Sequence, residues 1–315
     1  MAREIPPLAI GIPVHNGERY IGQAIESILD QTFGDFELLI SDNSSTDGTE
    51  EICRSYLARD ERVIYSRLAE NVGAAGNFNH VFGLGRSPLF KFAAHDDLCA
   101  PRFLEVCMAA YAGAPDDLVL CFPSTVRIDE AGVQQGPIHD RLDLRQPKPH
   151  QRLRAFLWRY GLSNCFYGIV RSAAYASTRL HKAFVAADVV LLGELALRGQ
   201  FWQLPEPLFM RRVHAEMSGQ ANPTLPELAQ HYDPSYRGDP VFYRVTMFRE
   251  FLRAIDTTPM PTPERLQCRQ VLASVWLAKY WKPMAGELVS GIRATRTGRS
   301  DRQEPSSPRQ RASAP

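Results

Sequence analysis

The chain lacks most of the features that would classify it at a glance. Its six cysteines, at positions 53, 99, 107, 121, 165 and 268, form no CxxC pair, which removes a zinc ribbon and a dithiol motif. A chain of 315 residues buries a full core without disulfide staples, so they are read as reduced thiols of a cytoplasmic protein. No apolar run approaches the roughly 20 residues of a membrane span. The opening MAREIPPLAIGIPVHNG is interrupted by Pro6, Pro7 and Pro13 and lacks the apolar core of a secretory signal. Neither sign of charge is in excess: 36 Lys and Arg face 35 Asp and Glu, a net charge of +1. No global field recruits nucleic acid, and none is expected as a partner. Neither GxGxxG nor GxxxxGKS/T follows the first apolar run, so a glycine-loop phosphate cradle is not expected. GxSxG is absent as well. His15, His80, His139, His150, His181 and His231 show no shared metal spacing.

What is present is an alternation. Short apolar runs at Leu8 to Val14, Phe36 to Ile40, Val63 to Leu68, Leu89 to Ala94 and Leu118 to Phe122 read as buried strands. Between them lie segments of helical spacing, such as Ile21, Ala24, Ile25 and Ile28. Strand and helix in turn predict an α/β fold with a mostly parallel sheet and helices on both faces. In such sheets ligands bind beyond the carboxyl ends of the strands. Three strand ends carry polar clusters, PVHNGE, SDNSSTDG and HDD, and these are expected to converge on one crevice. It offers carboxylates and amides rather than a phosphate loop. Carboxylates hold a divalent cation, Mg²⁺ or Mn²⁺, that in turn meets a pyrophosphate. Asp42 and Asp47 suit a base or ribose, and Asp96 and Asp97 suit the metal.

The motifs IPVHNGERYIGQAIESILDQTF, FELLISDNSSTDGT, NVGAAGNFNHV and KFAAHDDLCAPRFLE together resemble a family 2 glycosyltransferase of the GT-A fold, a Rossmann-like sheet flanked by helices. The resemblance covers roughly residues 6 to 130 and extends more weakly over ADVVLLGELALRGQFWQLPEPLFMRRVH. It implies that Pro13, His15, Asn16 and Glu18 form the first nucleotide-binding loop. It implies further that Asp42 and Ser44 hold base and ribose, that Asp47 closes that loop, and that Asn71, Gly73 and Asn77 form a third nucleotide contact. Asp96 and Asp97 match the carboxylates that bind metal and ribose. Asp188 matches the catalytic base. His214, after Arg211 and Arg212, matches a late element that touches metal or diphosphate. Relatives often carry one more aspartate where this chain has Ala94, which leaves the division of labour between Asp96 and Asp97 open.

The implied activity is metal-dependent, inverting transfer of a sugar from a UDP-, GDP- or dTDP-sugar to the hydroxyl of a glycan, lipid-linked or small-molecule acceptor. The alternative is a nucleotide-sugar-binding module with lost or altered catalysis, and a nucleotidyltransferase is disfavoured because PVHNGERY is not a basic glycine loop. Simpler readings exist for single residues: Asp42 to Asp47 as turn and cap chemistry, Asp188 as a helix cap. The expected organisation is a domain over 1–219, with a nucleotide-sugar half at 6–130 and an acceptor half at 131–219. A helical extension over 220–292 and a disordered basic tail over 293–315 follow. Trp276, Tyr280 and Trp281 interleave with Lys279 and Lys282. They read as an amphipathic helix packing on the domain or, within 264–296, one that touches the inner face of a membrane peripherally.

Overall fold

Leu8–Val14 is buried along its whole length because parallel strands flank it on both sides. This is β1. In the computed structural model, residues 4–238 and 242–300 are described, with side chains outside 218–219 and 290–300. After β1 come α1 (Ile21–Leu29), β2 (Phe36–Asp42), α2 (Thr49–Leu57), β3 (Val63–Arg67), α3 (Gly73–Leu84), β4 (Leu89–Phe92), β5 (Leu98–Cys99) and α4 (Phe103–Ala112). The second half holds β6 (Leu118–Ile128), β7 (Gln134–Ile138), α5 (Pro149–Arg159), β8 (Ile169–Arg171), α6 (Ser172–Ala176), α7 (Ala187–Arg198) and β9 (Gln200–Arg212). Four helices close the described chain: α8 (Ser218–Ala221), α9 (Leu225–Tyr232), α10 (Tyr243–Thr257) and α11 (Thr262–Ser300).

The strands join in one sheet in the order β3-β2-β1-β4-β8-β6-β9-β5, with β7 on β6. The first four run parallel, so the ends of β1, β2 and β4 emerge on one edge. β8 is antiparallel to both of its neighbours, and β6 and β9 run parallel to each other. One apolar cluster packs α1 and α4 against one face, through Ile21, Ile25, Ile28, Phe103 and Leu104. The other cluster joins α3, α5 and α7 to α10 and α11, where Phe251, Leu272 and Trp276 are buried with Phe156 and Leu195. The helices α10 and α11 therefore share a core with α5 and α7.

The second half departs from its apolar pattern in two places. The apolar stretch Phe166 to Val170 is not one strand: Asn164–Tyr167 makes a 3-10 turn and pairing begins at Ile169. Gly168 separates the two, and an added Cβ there would stand 2.5 Å from the Cys121 carbonyl. The proline-containing stretch Phe201 to Arg212 lies in the 13-residue strand β9. Its Pro205 and Pro207 fall where the β6 ladder shifts register, so few ladder bonds are lost. Helix α11 runs on to Ser300, past the expected start of the disordered tail, while 301–315 lie outside the described residues. All six cysteines are buried and unpaired. Among the described residues no helix is long and apolar enough to cross a membrane.

Candidate functional site

The ends of β1, β2 and β4 open into a cleft of about 380 Å³. Its near wall is built by hydrogen bonds between two loops. Asn16 turns the chain at φ 52°, its N–H donates to Ser45 Oγ and its Oδ1 accepts from Thr46 N–H. Glu18 and Asp47 cross over: Glu18 N–H donates to Asp47 Oδ2, and Gly48 N–H donates to Glu18 Oε2. Asp47 also accepts from Thr49 N–H and Oγ1, capping α2, and its carboxyl is held below the usual range because these bonds outweigh burial. His15 bridges the two loops to a third. Its Nδ1 donates to the Asn43 carbonyl while its Nε2 accepts from Asn71 Nδ2, so one tautomer satisfies both. Asn43 in turn donates to Asn71 Oδ1 and accepts from Val72 N–H.

The expected nucleotide residues therefore divide. Pro13, His15, Asn16, Asn71, Asn77 and Asp96 line the cleft. Asp42 does not: it is wholly buried, with its oxygens taken by Ser45 N–H and the Tyr65 hydroxyl and with Arg67 3.6 Å away. Ser44 turns the chain at φ 60° and, with Glu18 and Asp47, stands behind the wall. Gly73 begins α3 at φ +77°, where an added Cβ would meet Pro234 at 2.6 Å and the Tyr232 carbonyl at 2.9 Å. Asn77 is nearly buried and clamps β1 to β2 through the Val14 and Ser41 carbonyls.

The far wall comes from β4 and the end of β9. Asp96 Oδ2 and His214 Nε2 are 2.8 Å apart. Burial opposes the Asp96 charge, yet His95 and His214 overcome it and lower its pKa. Asp97 accepts from Arg212 N–H at 2.8 Å. Burial and the neighbouring Asp96 charge push its pKa up to about 8. Arg212 fixes this corner: its guanidinium, almost wholly buried, donates to the carbonyls of Asp96, Asp129 and Glu130 and to Gln23 Oε1, and lies over the Tyr20 ring. Beneath the pair, the buried Lys91 ammonium donates to the carbonyls of Phe92 and Tyr167.

Among the described residues no three His, Cys, Asp or Glu groups converge on a metal. Asp96 and His214 nevertheless fit one. A carboxylate and an imidazole that meet at 2.8 Å in the cleft lining are donors a divalent cation would accept, and such an ion would take its other ligands from water and substrate phosphate. Asp97, with one oxygen committed to β9, is less suited.

Asp188 opens α7 and does not line the cleft. It keeps part of its surface accessible although protein atoms crowd it. Burial raises its pKa against the backbone N–H of Val189. Burial raises the pKa of Tyr167, which lines the cleft, and of Tyr232 and Tyr243 in the extension, and the Asp188 charge adds to it in each. Glu194, six residues on in α7, is bound by Arg179 and Arg198 and buried, so it is not free to act as a base. Arg211 lines the cleft, donates to the Leu162 carbonyl and to Asn164 Oδ1, and its charge opposes, without cancelling, the rise that burial imposes on the Asp97 and Asp188 pKa values. Sequence reading missed Asn43, Tyr20, Tyr167 and the roof residues Met217, Ala221 and His231. Of these, Asn43 and Tyr20 sat within quoted motifs.

With this geometry the fold is of the GT-A type, an α/β sheet with a cleft at its parallel edge. The family model described as glycosyl transferase family 2 matches residues 9–173, and the chain belongs to that family. The chain is similar to the putative teichuronic acid biosynthesis glycosyltransferase TuaG of Bacillus subtilis, with 29% identity over 143 residues, 40% of this chain and 57% of that protein. It is also similar to chondroitin synthase of Escherichia coli, with 30% identity over 161 residues, 49% of this chain and 23% of that one. The chain spans little more than half, or less, of the length of the curated relatives it matches. In fold it resembles TarS 1-349 of S. aureus in complex with UDP-GlcNAc, at a TM-score of 0.63 and 16% identity, covering 86% of this chain and 73% of that one. The mannosyltransferase PcManGT from Pyrobaculum calidifontis, in complex with GDP-Man and Mn²⁺, aligns at a TM-score of 0.55 and 14% identity, covering 96% and 82%.

Proposed function

We propose that the protein is a glycosyltransferase that moves a sugar from a nucleoside-diphosphate sugar to an acceptor hydroxyl with inversion. The carrying observation is the Asp96–His214 pair set across one cleft from the His15–Asn43–Asn71 wall. The wall takes the nucleoside, and the far side takes the diphosphate. Asp96 and His214 would hold a divalent cation, which when bound supplies charge neutralisation for the leaving diphosphate. Asp42, Glu18 and Asp47 act from behind by fixing the loops. Relatives described as teichuronic acid and chondroitin enzymes, and fold neighbours in complex with UDP-GlcNAc and GDP-Man, support this donor class and a glycan or lipid-linked acceptor.

Asp188 is the base in this reading. Its raised pKa makes it a better proton acceptor than an ordinary aspartate. It takes the proton as the acceptor oxygen attacks the anomeric carbon from the side opposite the diphosphate, so one displacement inverts the centre. The position of Asp188 outside the cleft lining favours a second reading, a nucleotide-sugar-binding module without transfer. A melting-temperature screen against UDP, GDP, dTDP and CMP, each with and without Mn²⁺, tests the shared part. A metal-dependent rise with a nucleoside diphosphate is expected; no shift with any of them contradicts both readings. Release of free nucleotide with a glycan acceptor then separates them.

A further inference from the structure

We propose that the groove between the 179–184 segment and helix α10 binds an acidic glycan, holding the carboxylate or phosphate groups of the acceptor chain beside the cleft. The groove measures about 420 Å³, and Arg179, Lys182, Arg249, Glu250 and Arg253 line it. That the glycan is the acceptor rests on the transferase reading; that the groove takes an acidic chain rests on its own charges. Arg249, Glu250 and Arg253 recur at helical spacing and share one face of α10.

The fold's own need for cations is met without Arg249 and Arg253. Two carboxylates, Glu194 of α7 and Glu250 of α10, are 1% and 5% exposed. Arg179 spans them, with Nε on Glu194 Oε2 and Nη1 on Glu250 Oε2, and Arg198 adds a second cation on Glu194. Two arginines thus balance two buried acids. Arg249 and Arg253 come on top: both donate to Glu250 Oε1, at 3.3 and 2.7 Å, with side chains 60% and 58% exposed. Among the described residues neither has another carboxylate within 4.0 Å, and the exposed Lys182 has none. Three surplus cations therefore face one groove, an arrangement that repels itself and that an anion relieves. A guanidinium pairs with a carboxylate or a phosphate through two parallel bonds, which defines the ligand class.

Shape and neighbours choose among anions. None of the exposed large apolar residues lines the groove, so it lacks the groups that anchor a protein on a bilayer. Its one aromatic, Phe184, is partly buried against the core, whereas grooves for single-stranded nucleic acid present several open rings. The groove also adjoins the cleft. His181, next to Lys182, stacks on Phe78 with ring centroids 4.8 Å apart, and Phe78 lines the cleft. The same segment leads into α7 and Asp188. A glycan that covers both places is held by its acidic groups at one and presents a hydroxyl at the other.

Fluorescence anisotropy of labelled octagalacturonic acid and of a labelled glycerol phosphate oligomer, on the full chain without nucleotide, tests this. At least one is expected to bind, more weakly as salt rises, while labelled maltooctaose does not; the arm that binds tells carboxylate from phosphate. Lys182→Ala with Arg249→Ala and Arg253→Ala is expected to lower that affinity at least about tenfold, with the melting temperature and its response to nucleoside diphosphate and Mn²⁺ unchanged. Arg54→Ala with Arg102→Ala and Arg269→Ala removes as much charge elsewhere and is expected to bind as the wild type does. Binding of neither oligomer, equal binding of maltooctaose, undiminished binding by the groove variant, or an equal loss in the second variant overturns the proposal. So does flotation with phosphatidylglycerol vesicles that the groove variant abolishes in the absence of glycan binding. The nucleotide response reports separately on the transferase reading: glycan binding without it upholds the groove and removes only the acceptor's role.

Discussion

The two walls of the cleft are built in different ways. On the nucleoside side, three loops from neighbouring strand ends bond to one another, and each polar group finds its partner within about two loops of chain. On the opposite side, which in the proposed function takes the diphosphate and the acceptor, the parts come from far apart: Asp96 meets His214, Asp97 meets Arg212, and the charge of Asp188 reaches Tyr232 and Tyr243 of α9 and α10. Preorganised loops fix a ligand position at the cost of tolerance to change. A site assembled across elements tolerates substitution in folding but not in function. Nucleoside-side variants should therefore lose stability, and acceptor-side variants should lose turnover.

The largest effect is expected on the acceptor side. Asp188→Asn should lower transfer by about 10²–10⁴ while leaving nucleotide binding and melting temperature unchanged. Because burial raises the Asp188 pKa, the acid limb of the wild-type rate profile should lie above the ordinary carboxylate range, with activity lost as pH falls through it. Full activity in this variant removes Asp188 as base.

On the nucleoside side, Asp42→Ala orphans Ser45 N–H and the Tyr65 hydroxyl and should cost about 4 kcal/mol in denaturant unfolding. An unchanged midpoint would show the wall to be less rigid than its bonds suggest. Gly73→Ala faces a positive φ and a backbone carbonyl at 2.9 Å, and should cost about 3 kcal/mol.

The smallest effect belongs to the seam between the two sides. His181 is buried among Phe78, Phe92 and Phe166 with neither ring nitrogen partnered. Burial lowers its pKa to about 3. Between the unfolded value of about 6.5 and this folded value, the unfolded chain binds a proton that the folded one refuses. Stability should thus fall as pH drops below about 6.5, by about 2 kcal/mol at about pH 5, and His181→Phe should flatten that slope. Parallel pH profiles for the two proteins would exclude it.

The same contrast decides what could be read from sequence. The four parallel strands and α1 were legible because apolar runs and helical spacing are local signals, and the convergence of PVHNGE, SDNSSTDG and HDD followed from topology. The roles of Asp42 and Asn43 were not, since alternation of adjacent residues on a strand end decides which faces the cleft. The 13 residues of β9 were hidden by Pro205 and Pro207, whose tolerance depends on a register shift in a strand about 80 positions away. The roof over the cleft, Met217 to His231, carries no motif at all and is held at the site by the packing of α9 on α3 and by the Met217 N–H bond to the His214 carbonyl.

The central claim is that a nucleoside diphosphate lies between the His15 wall and the Asp96–His214 pair. Titration calorimetry of UDP and GDP, with and without Mn²⁺, on wild type and on Asp96→Asn and Asp97→Asn tests it most directly. One nucleotide should bind the wild type more tightly with Mn²⁺ than without. Asp96→Asn should abolish that metal-dependent gain, and Asp97→Asn should weaken it by less. Equal binding by all three proteins, or binding indifferent to the metal throughout, would contradict the account.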